Sequence, residues 1–527
     1  MTSDMTDQKE QPLKSFGDIY PDKIIGELTM FDRLVFKGYL SGLYPVKKQF
    51  EFFLLRQGVL LKAYKGYAER SSEQLKAHLQ QIAEQAGRPI QYLWGGKGPR
   101  GESKEELAHA ALAAMGNQVG LVAIYSCLEL KNALTVRGNR ESKQLEAVSE
   151  KRKHLHYYCY YNDEEFGLMY VRIQSWWPFE VQIYINGHEW LARQLDKAGI
   201  GYVKVDNYFL QIDDIAAAQK VCEKFAHRPW ERVWNNFARR HNPLLAEVEA
   251  TVKKGYYWTI EQSELATDVI FADQAVLEEC LPALFQEALL AFSAEDVMRF
   301  LGRKLNGHFQ GKVETRLNQR QTGWRVKHWV KQNSLKMYNF LSLLRVETTI
   351  NKAAEFRIEA PSSASARWKR LPKGVNNCWH FYQIGREANQ RYLQALRHLP
   401  VQGKAASQAL DSLCQSHQVE GRPIAKFNPL TPESCRLFAI LLRGEYALAG
   451  LRNHHLVQAL FDPTDDEQEA NRRRARVSRL LAKLCGHRLI EKIEHSHLYR
   501  VTAFGYRAMS AALHYRHVDF PAYFAAA

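Results

Sequence analysis

The chain has 527 residues, of which 46% are hydrophobic and 24% charged, which is the composition of a folded protein and excludes a fully disordered one. Its length exceeds what one hydrophobic core supports and predicts several domains. The formal net charge of +15 indicates an anionic partner such as nucleic acid, and because the sequence lacks an apolar run of membrane-spanning length, we expect no membrane partner.

The polar first 15 residues predict a disordered tail without the apolar stretch of a signal peptide. The eight cysteines are scattered along the sequence without a C-x-x-C pair. Such spacing is typical of reduced thiols in the cytosol and unlike that of a disulfide framework or a zinc module. We therefore expect a cytoplasmic protein.

Residues 16–225 predict an α+β domain with a mostly antiparallel sheet. Ser103 and Glu106 form a capping-box pattern at the start of a helix, in which each side chain accepts a hydrogen bond from the other residue's free amide. From Val119 to Ile212, aromatic and β-branched segments follow one another with one helix, His188–Ala198, between them. Successive strands with so few intervening helices favour antiparallel pairing.

Residues 226–359 predict a helical segment and then a basic β-sheet region. Between Arg303 and Arg345 there are ten lysines and arginines, one acid and five interleaved aromatic residues. A sheet of this composition can offer cations to phosphates and rings to unstacked bases. The alternative is that the rings fill the core while the cations point outwards. The cations expected to bind nucleic acid are Arg325, Lys327, Lys331 and Lys336.

Residues 360–426 predict a linker and a helical segment, and residues 427–527 a winged-helix DNA-binding domain. Between Asn471 and Arg500 nine lysines and arginines stand against two acids. Four apolar residues and four cations recur there at helical spacing on two different faces, Gly486 is expected to end the helix in the left-handed conformation, and a short hairpin follows as the wing. The residues expected to contact DNA are Arg472, Arg473, Arg476, Arg479, Lys483 and His497. The apolar residues are Val477, Leu480, Leu481 and Leu484.

Two family resemblances follow from these motifs. The order of helices and hairpin over Asn428–His517 resembles the winged helix of MarR-like regulators. Four segments resemble an uncharacterised bacterial family of about this length, which brings no established activity. They are FDRLVFKG at Phe31–Gly38, VRIQSWWPFEVQIYINGHEWLARQL at Val171–Leu195, QSELATDVIF at Gln262–Phe271 and FNPLTPESCRLFAIL at Phe427–Leu441.

The segment Thr322–Asn351 resembles part of the rolling-circle replication initiators, which carry a Gly-bearing strand, a serine, a strand with a tyrosine and a strand that ends in R-x-E. Asn339 and Phe340 depart from that pattern, because the family favours an acidic and a basic residue there. The resemblance implies Tyr338 and Glu347 as catalytic residues. The other positions that align with the pattern are Ser334, Lys336, Arg345 and, with the departure just described, Asn339.

Two patterns could hold a divalent metal ion. His154-Leu155-His156 places two imidazoles on one strand face, an arrangement that strand-nicking endonucleases use, although any alternating strand with two histidines gives the same pattern. Glu264 and Asp268 are four residues apart and would share a helix face. With Asp32 and Glu347 they could form a Mg²⁺ site for phosphodiester chemistry, and unpaired surface acids are the alternative.

Three functions remain open from the sequence. The first is a DNA-binding protein with a regulatory or mobile-element role, which needs no cofactor for binding. The second is a DNA strand-processing enzyme that uses Mg²⁺ or Mn²⁺, and the third is an RNA-binding accessory protein. DNA is the expected partner and RNA the alternative, and the sequence gives no oligomeric state.

Overall fold

The computed structural model describes residues 22–40, 43, 47–303, 312–320, 323–359, 368–396, 410–419, 421–443, 446, 450–493 and 496–519. The predicted tail at residues 1–15 lies outside this range, as do Thr322, most of the predicted linker and His495 in the predicted wing. Within the described residues, no helix combines the length and the apolar character needed to cross a bilayer.

The α-helices are α1 (Lys47–Arg56), α2 (Tyr64–Gln85), α3 (Lys104–Ala114), α4 (Gly187–Ala198), α5 (Ile215–Ala226), α6 (Trp230–His241), α7 (Leu245–Val252), α8 (Gln274–Gln286), α9 (Ala294–Phe300), α10 (Cys378–Ala395), α11 (Pro432–Leu441), α12 (Asn453–Leu460), α13 (Glu467–Gly486) and α14 (Ala503–His514). The long strands are β1 (Ile24–Leu40), β3 (Gly120–Gly138), β4 (Leu145–Asp163), β5 (Gly167–Gln174), β6 (Val181–Asn186), β9 (Tyr256–Phe271), β10 (Val313–Arg320), β11 (Gly323–Val330), β12 (Asn333–Phe340) and β13 (Leu343–Ile350). The short strands are β2 (Ile90–Tyr92), β7 (Tyr202–Val205), β8 (Tyr208–Ile212), β14 (Arg357–Glu359), β15 (Trp368–Arg370), β16 (His417–Val419), β17 (Arg422–Ile424), β18 (Ile490–Lys492) and β19 (Tyr499–Val501).

One large mixed sheet has the strand order β10-β11-β12-β13-β9-β1-β6-β5-β4-β3-β2. Strand β2 pairs with β3 in parallel, whereas the pairs β3–β4, β4–β5, β5–β6 and β6–β1 are antiparallel. The structure therefore contains the helices and the large sheet that the α+β prediction requires. The capping box of Ser103 and Glu106 at the start of α3 is also confirmed.

The prediction that Glu264 and Asp268 lie on a helix is wrong, because both lie on strand β9. This segment is rich in aromatic and β-branched residues, which favour strands. Most of its residues are buried on both faces, so the alternation of apolar and polar residues that marks a half-exposed strand is absent. Residues four apart still share one face of a strand, since the side-chain period is two.

The chain forms two compact units. The first contains the described parts of Thr29–Ala266 and Thr349–Gly385. The second contains the described parts of Met1–Leu28, Thr267–Thr348 and Arg386–Ala527. Within the second unit, the C-terminal helices share an apolar core that also takes in Leu413, upstream of the predicted start at residue 427. Its members include Phe427, Leu437, Phe438, Leu441, Leu456, Val477, Leu481, Leu484, Ile490 and Met509.

Candidate nucleic-acid surfaces and carboxylate site

Helix α13 separates apolar from cationic side chains. Val477, Leu481 and Leu484 are buried in the C-terminal core, and Leu480 is half-buried beside them. Asp466 caps the helix by accepting a hydrogen bond from the backbone N–H of Gln468. Of the predicted DNA-binding residues on this helix, three are exposed and two are half-buried. The exposed ones are Arg472, Arg476 and Arg479, and the half-buried ones are Arg473 and Lys483.

Several of these cations pack over aromatic rings instead of extending freely into solvent. The guanidinium carbons of Arg473 and Arg476 lie 5.4 and 5.7 Å from the centre of the Phe461 ring, and the Lys483 ammonium lies 4.3 Å from that of Phe427. Burial lowers the pKa of Lys483. A groove of about 540 Å³ lies between α11 and α13. Its cationic border is formed by Arg436, Arg476, Arg479 and Lys483.

The hairpin that follows α13 pairs β18 with β19, and Tyr499 of β19 also bridges to Leu451. His497 is exposed next to the turn of this hairpin. Gly486 does end α13, but it does not adopt the expected left-handed conformation, which Arg488 adopts instead with φ 56°. A Cβ atom on Gly486 would lie 2.6 Å from Ile424, so close packing is the reason for a glycine here.

Strands β10, β11 and β12 place cations on one face. On β11, Val326, His328 and Val330 are buried, whereas Arg325 and Lys327 alternate with them. The register sets Lys327 opposite Lys336 on β12, and opposite Arg316 on β10. This row, with the neighbouring Arg320 and Arg325, forms what we call the cationic sheet face. Lys331 is exposed at the turn after β11, and Trp324 is 44% exposed, so not every ring enters the core.

Tyr338 and Glu347, predicted as catalytic residues, meet at the base of this face. The Tyr338 hydroxyl donates a hydrogen bond of 2.8 Å to one carboxylate oxygen of Glu347, and the Lys336 ammonium donates to the other. Glu347 is only 1% exposed, and Tyr338 is buried as well. The phenol therefore has a carboxylate that could accept its proton, but it is held inside the fold and not at an open surface.

Asp268, which lies in the second unit, belongs to no metal-ligand group among the described residues, because it forms a buried ion pair. The Arg345 guanidinium donates to both carboxylate oxygens of Asp268, at 2.5 and 2.8 Å. Both side chains are almost fully buried. A bidentate pair of this kind satisfies the hydrogen-bonding capacity of the carboxylate, so that no metal ion is needed to balance its charge.

The predicted association of Asp32 with Glu264 is found in the first unit. Each offers a carboxylate oxygen within 4.8 Å of the other's, and both side chains are partly exposed. Asn207 donates a hydrogen bond to Asp32, and the His188 ring nitrogen Nδ1 lies 3.2 Å from the same carboxylate. Burial lowers the pKa of Arg33, but Tyr184 and the carboxylates of Glu264 and Asp32 raise it, and the net shift is upwards. We call Asp32 and Glu264 the carboxylate pair.

The sequence Asn186-Gly187-His188 fixes the surroundings of Asp32. The Asn186 side chain caps α4 by accepting hydrogen bonds from the backbone N–H groups of His188 and Glu189. Its amide nitrogen donates to Asn207 at 2.9 Å. A side chain at Gly187 would overlap the backbone carbonyl oxygen of Phe31, so only glycine allows α4 to begin against β1. This close approach holds His188 next to Asp32.

His154 and His156 share a strand face, with ring centres 5.7 Å apart, but their surroundings do not favour a cation. Both are buried, and burial lowers the pKa of each, to about 3 for His156. Among the described residues, no third histidine, cysteine or acid completes a ligand group with them. The His154 Nε2 atom instead lies 3.1 Å from the side-chain nitrogen of Gln174.

Asn186, His188 and Asn207 were not predicted as site residues from the sequence. The N-cap asparagine followed by glycine was a usable signal, because it places the histidine in the first turn of a helix. The turn that carries Asn207 gave no comparable signal.

Comparison of the chain with protein-family models, with curated proteins and with solved structures returned no match.

Proposed function

We propose that this protein binds DNA through helix α13 and the hairpin that follows it, with further contacts from the cationic sheet face. The observation that carries the proposal is the division of α13 into a buried apolar face and a face with exposed arginines. A helix divided in this way packs on its own domain while its cations reach phosphates and guanine edges in a major groove.

The order of elements around α13 supports this proposal. Helices α11 and α12 precede it, and the β18–β19 hairpin and α14 follow. In winged-helix proteins, the third helix enters the major groove and the hairpin lies along the neighbouring backbone. The excess of cations between Asn471 and Arg500 would attract phosphates from any DNA sequence.

The test uses full-length protein and a fluorescently labelled DNA duplex, with affinity measured by anisotropy. The double variant Arg476→Ala/Arg479→Ala should bind at least tenfold more weakly, because each good contact contributes about 1–3 kcal/mol. Its control is Lys65→Ala/Lys76→Ala, which removes the same charge from exposed positions on α2 and should bind within twofold of the unaltered protein.

Three results would count against this proposal. The unaltered protein could leave duplex DNA unbound at low salt, or the two double variants could lose affinity equally, which would mean that only net charge matters. Tighter binding of single-stranded RNA than of duplex DNA would favour the RNA-binding alternative instead.

A second activity, metal-dependent phosphodiester chemistry, is supported by the carboxylate pair. Mg²⁺ is commonly held by one or two carboxylates together with phosphate oxygens of the substrate, at about 2.1 Å from each oxygen. A separation of at most 4.8 Å allows Asp32 and Glu264 to approach one ion with small side-chain rotations. An ion held there would activate a water molecule and offset the charge that develops on phosphate. Asn207, through its hydrogen bond, and His188, through its contact of 3.2 Å, would hold the Asp32 carboxylate in orientation.

Mn²⁺ binding to the full-length protein, followed by electron paramagnetic resonance, tests this second activity. Asp32→Asn and Glu264→Gln should each weaken Mn²⁺ binding at least tenfold and abolish any Mn²⁺-dependent cleavage of DNA. The control is Glu261→Gln, which alters an exposed acid on the same strand. Equal Mn²⁺ affinity in all three variants would remove the carboxylate pair from consideration.

A further inference from the structure

A cavity of about 480 Å³ lies in the first unit, and one residue of its lining, Asn207, donates a hydrogen bond to Asp32 of the carboxylate pair. It is bordered by strands β4, β5 and β6, by helices α3 and α4, and by the turn between β7 and β8. Its volume is within the range of sites for small ligands, roughly 300–1,000 Å³. Two tyrosine rings and three apolar side chains contribute to its walls. They are Tyr160, Tyr184, Leu112, Leu168 and Met169.

The hydroxyl of Tyr160 indicates that the cavity is built for a ligand. Tyr160 is 2% exposed, and its hydroxyl has no hydrogen-bond partner among the described residues. Tyr125 and Tyr170 pack against its ring at centre distances of 5.7 and 5.4 Å, so the side chain is held in place. Burial raises its pKa, which keeps the phenol protonated and able to donate. An unsatisfied buried hydroxyl destabilises the fold, and a ligand atom that accepts its hydrogen bond in the cavity would remove that penalty.

The charges in the cavity select the chemistry of its ligand. The acids Glu105, Glu189 and Asp206 line it, against one guanidinium, that of Arg193. Lys204 neutralises Glu189 through a contact of 2.6 Å, which leaves the carboxylates of Glu105 and Asp206 against the one guanidinium. Such walls disfavour a phosphate inside the cavity. They favour a ligand that donates hydrogen bonds to the carboxylates and accepts one from the Tyr160 hydroxyl. A flat heteroaromatic base with an exocyclic amino group donates through that group and accepts at its ring nitrogens, and its faces can pack against tyrosine rings.

The cavity is joined to the carboxylate pair by two asparagines. Asn186 and Asn207 both line the cavity, and Asn207 donates its hydrogen bond to Asp32. A ligand that fills the cavity would thus end beside Asp32 and Glu264, where a divalent cation could neutralise its phosphate. We infer that the cavity binds the amino-bearing base of a nucleotide, and that the phosphate of the same nucleotide reaches a divalent cation on the carboxylate pair. This inference rests on the second activity proposed above.

The test measures binding of dAMP and dTMP to full-length protein in the presence of Mn²⁺ by equilibrium dialysis. We expect dAMP to bind more tightly than dTMP, because thymine lacks the exocyclic amino group. Tyr160→Phe should weaken dAMP binding about five- to tenfold, the effect of one lost hydrogen bond, while leaving Mn²⁺ binding unchanged. The matched control is Tyr157→Phe, a buried tyrosine on the opposite face of the same strand, which should bind dAMP normally.

The possible results separate this inference from the activity on which it rests. If Mn²⁺ binds to the carboxylate pair but dAMP does not bind, the nucleotide inference alone is wrong. If dAMP binds equally to the unaltered protein and to Tyr160→Phe, the base lies elsewhere. Absence of Mn²⁺ binding overturns the carboxylate site and this inference with it. Comparison of dAMP with a short oligo(dA) then shows whether the site takes a free nucleotide or one within a strand, since a free-nucleotide site would bind the oligomer more weakly.

Discussion

Single side chains in this protein carry charge in places where water is scarce, so their partners decide what each can do. Glu347 is held by Lys336 and Tyr338, and Asp268 by Arg345. Asp32, by contrast, lies next to a second carboxylate at a partly exposed position. Residue type alone would have treated these acids as equivalent.

Removing the charge of Glu347 should therefore lower the free energy of unfolding more than removing the hydroxyl of Tyr338. Glu347→Gln leaves the Lys336 ammonium without its buried counter-charge, and breaking such a pair costs about 3–5 kcal/mol. Tyr338→Phe loses one hydrogen bond to a charged group, about 1.5–3 kcal/mol. Thermal unfolding of the two variants should show the larger fall for Glu347→Gln. Equal midpoints would mean that the ion pair contributes nothing beyond the hydrogen bond.

The Tyr338 hydroxyl is also buried, so we expect no covalent protein–DNA adduct through it. Full-length protein incubated with single-stranded DNA and Mn²⁺ should run as free protein on a denaturing gel, and Tyr338→Phe should bind DNA as the unaltered protein does. An adduct that disappears in Tyr338→Phe would show instead that this residue acts as a nucleophile, as in the replication initiators that Thr322–Asn351 resembles.

Buried histidines should make the protein sensitive to mild acid. The pKa of His156 is about 3 in the fold, against 6.5 for an unperturbed histidine, because of burial and the nearby Arg172. Between pH 6.5 and 3 the unfolded chain binds more protons than the folded one, so stability is full above pH 6.5 and falls as the pH decreases. Each unit of pH in this window costs up to about 1.4 kcal/mol. His154 and Glu129, which face His156, shift the window but not the sign.

The variant His156→Gln tests this, because glutamine stays neutral throughout the window. The drop in thermal midpoint between pH 7 and pH 5.5 should be smaller in the variant than in the unaltered protein. His241 and His328, whose pKa values are also lowered to about 4 by burial, should still produce part of the drop. An identical drop in both proteins would show that His156 does not titrate as its burial implies.

At the scale of helices and strands, local patterns in the sequence were informative where one face is exposed. The capping box of Ser103 and the apolar stripe of α13 follow from side-chain spacing, and the structure has both. Strand β9 could not be identified in this way, because it is buried on both faces and its alternation is lost. Asp32 and Glu264 were predicted together from the sequence, but with Glu264 on a helix beside Asp268. The approach of two acids so far apart in sequence depends on strand order, which local patterns do not show.

Gly486 shows how packing between elements can determine a residue that local rules explain differently. A methyl group at this position would lie 2.6 Å from Ile424, so Gly486→Ala should lower the thermal midpoint of the protein. Overpacking of this kind costs about 1–3 kcal/mol. The double variant Gly486→Ala/Ile424→Ala should recover part of the loss, since it restores the space. Failure of Ile424→Ala to compensate would point to backbone conformation as the cause.

At the scale of the whole molecule, the positive charge is spread over more than one surface. Helix α13 carries exposed arginines, and the cationic sheet face carries a row across three strands. The cavity and the carboxylate pair form an acidic site in an otherwise basic protein. A basic exterior attracts a nucleic acid without regard to its sequence, whereas an acidic site can hold a cation and bind one nucleotide selectively.

The salt dependence of DNA affinity distinguishes a protein that uses both cationic surfaces from one that uses α13 alone. Each phosphate neutralised by a cation contributes about −0.9 to the slope of log affinity against log salt concentration. Arg476→Ala/Arg479→Ala and Arg325→Gln/Lys327→Gln should therefore each reduce the magnitude of the slope by about 2, and the quadruple variant by about 4. The slopes are measured by anisotropy with one long duplex. If the Arg325/Lys327 variant keeps the full slope, the cationic sheet face binds no phosphate and only α13 serves as a DNA-binding surface.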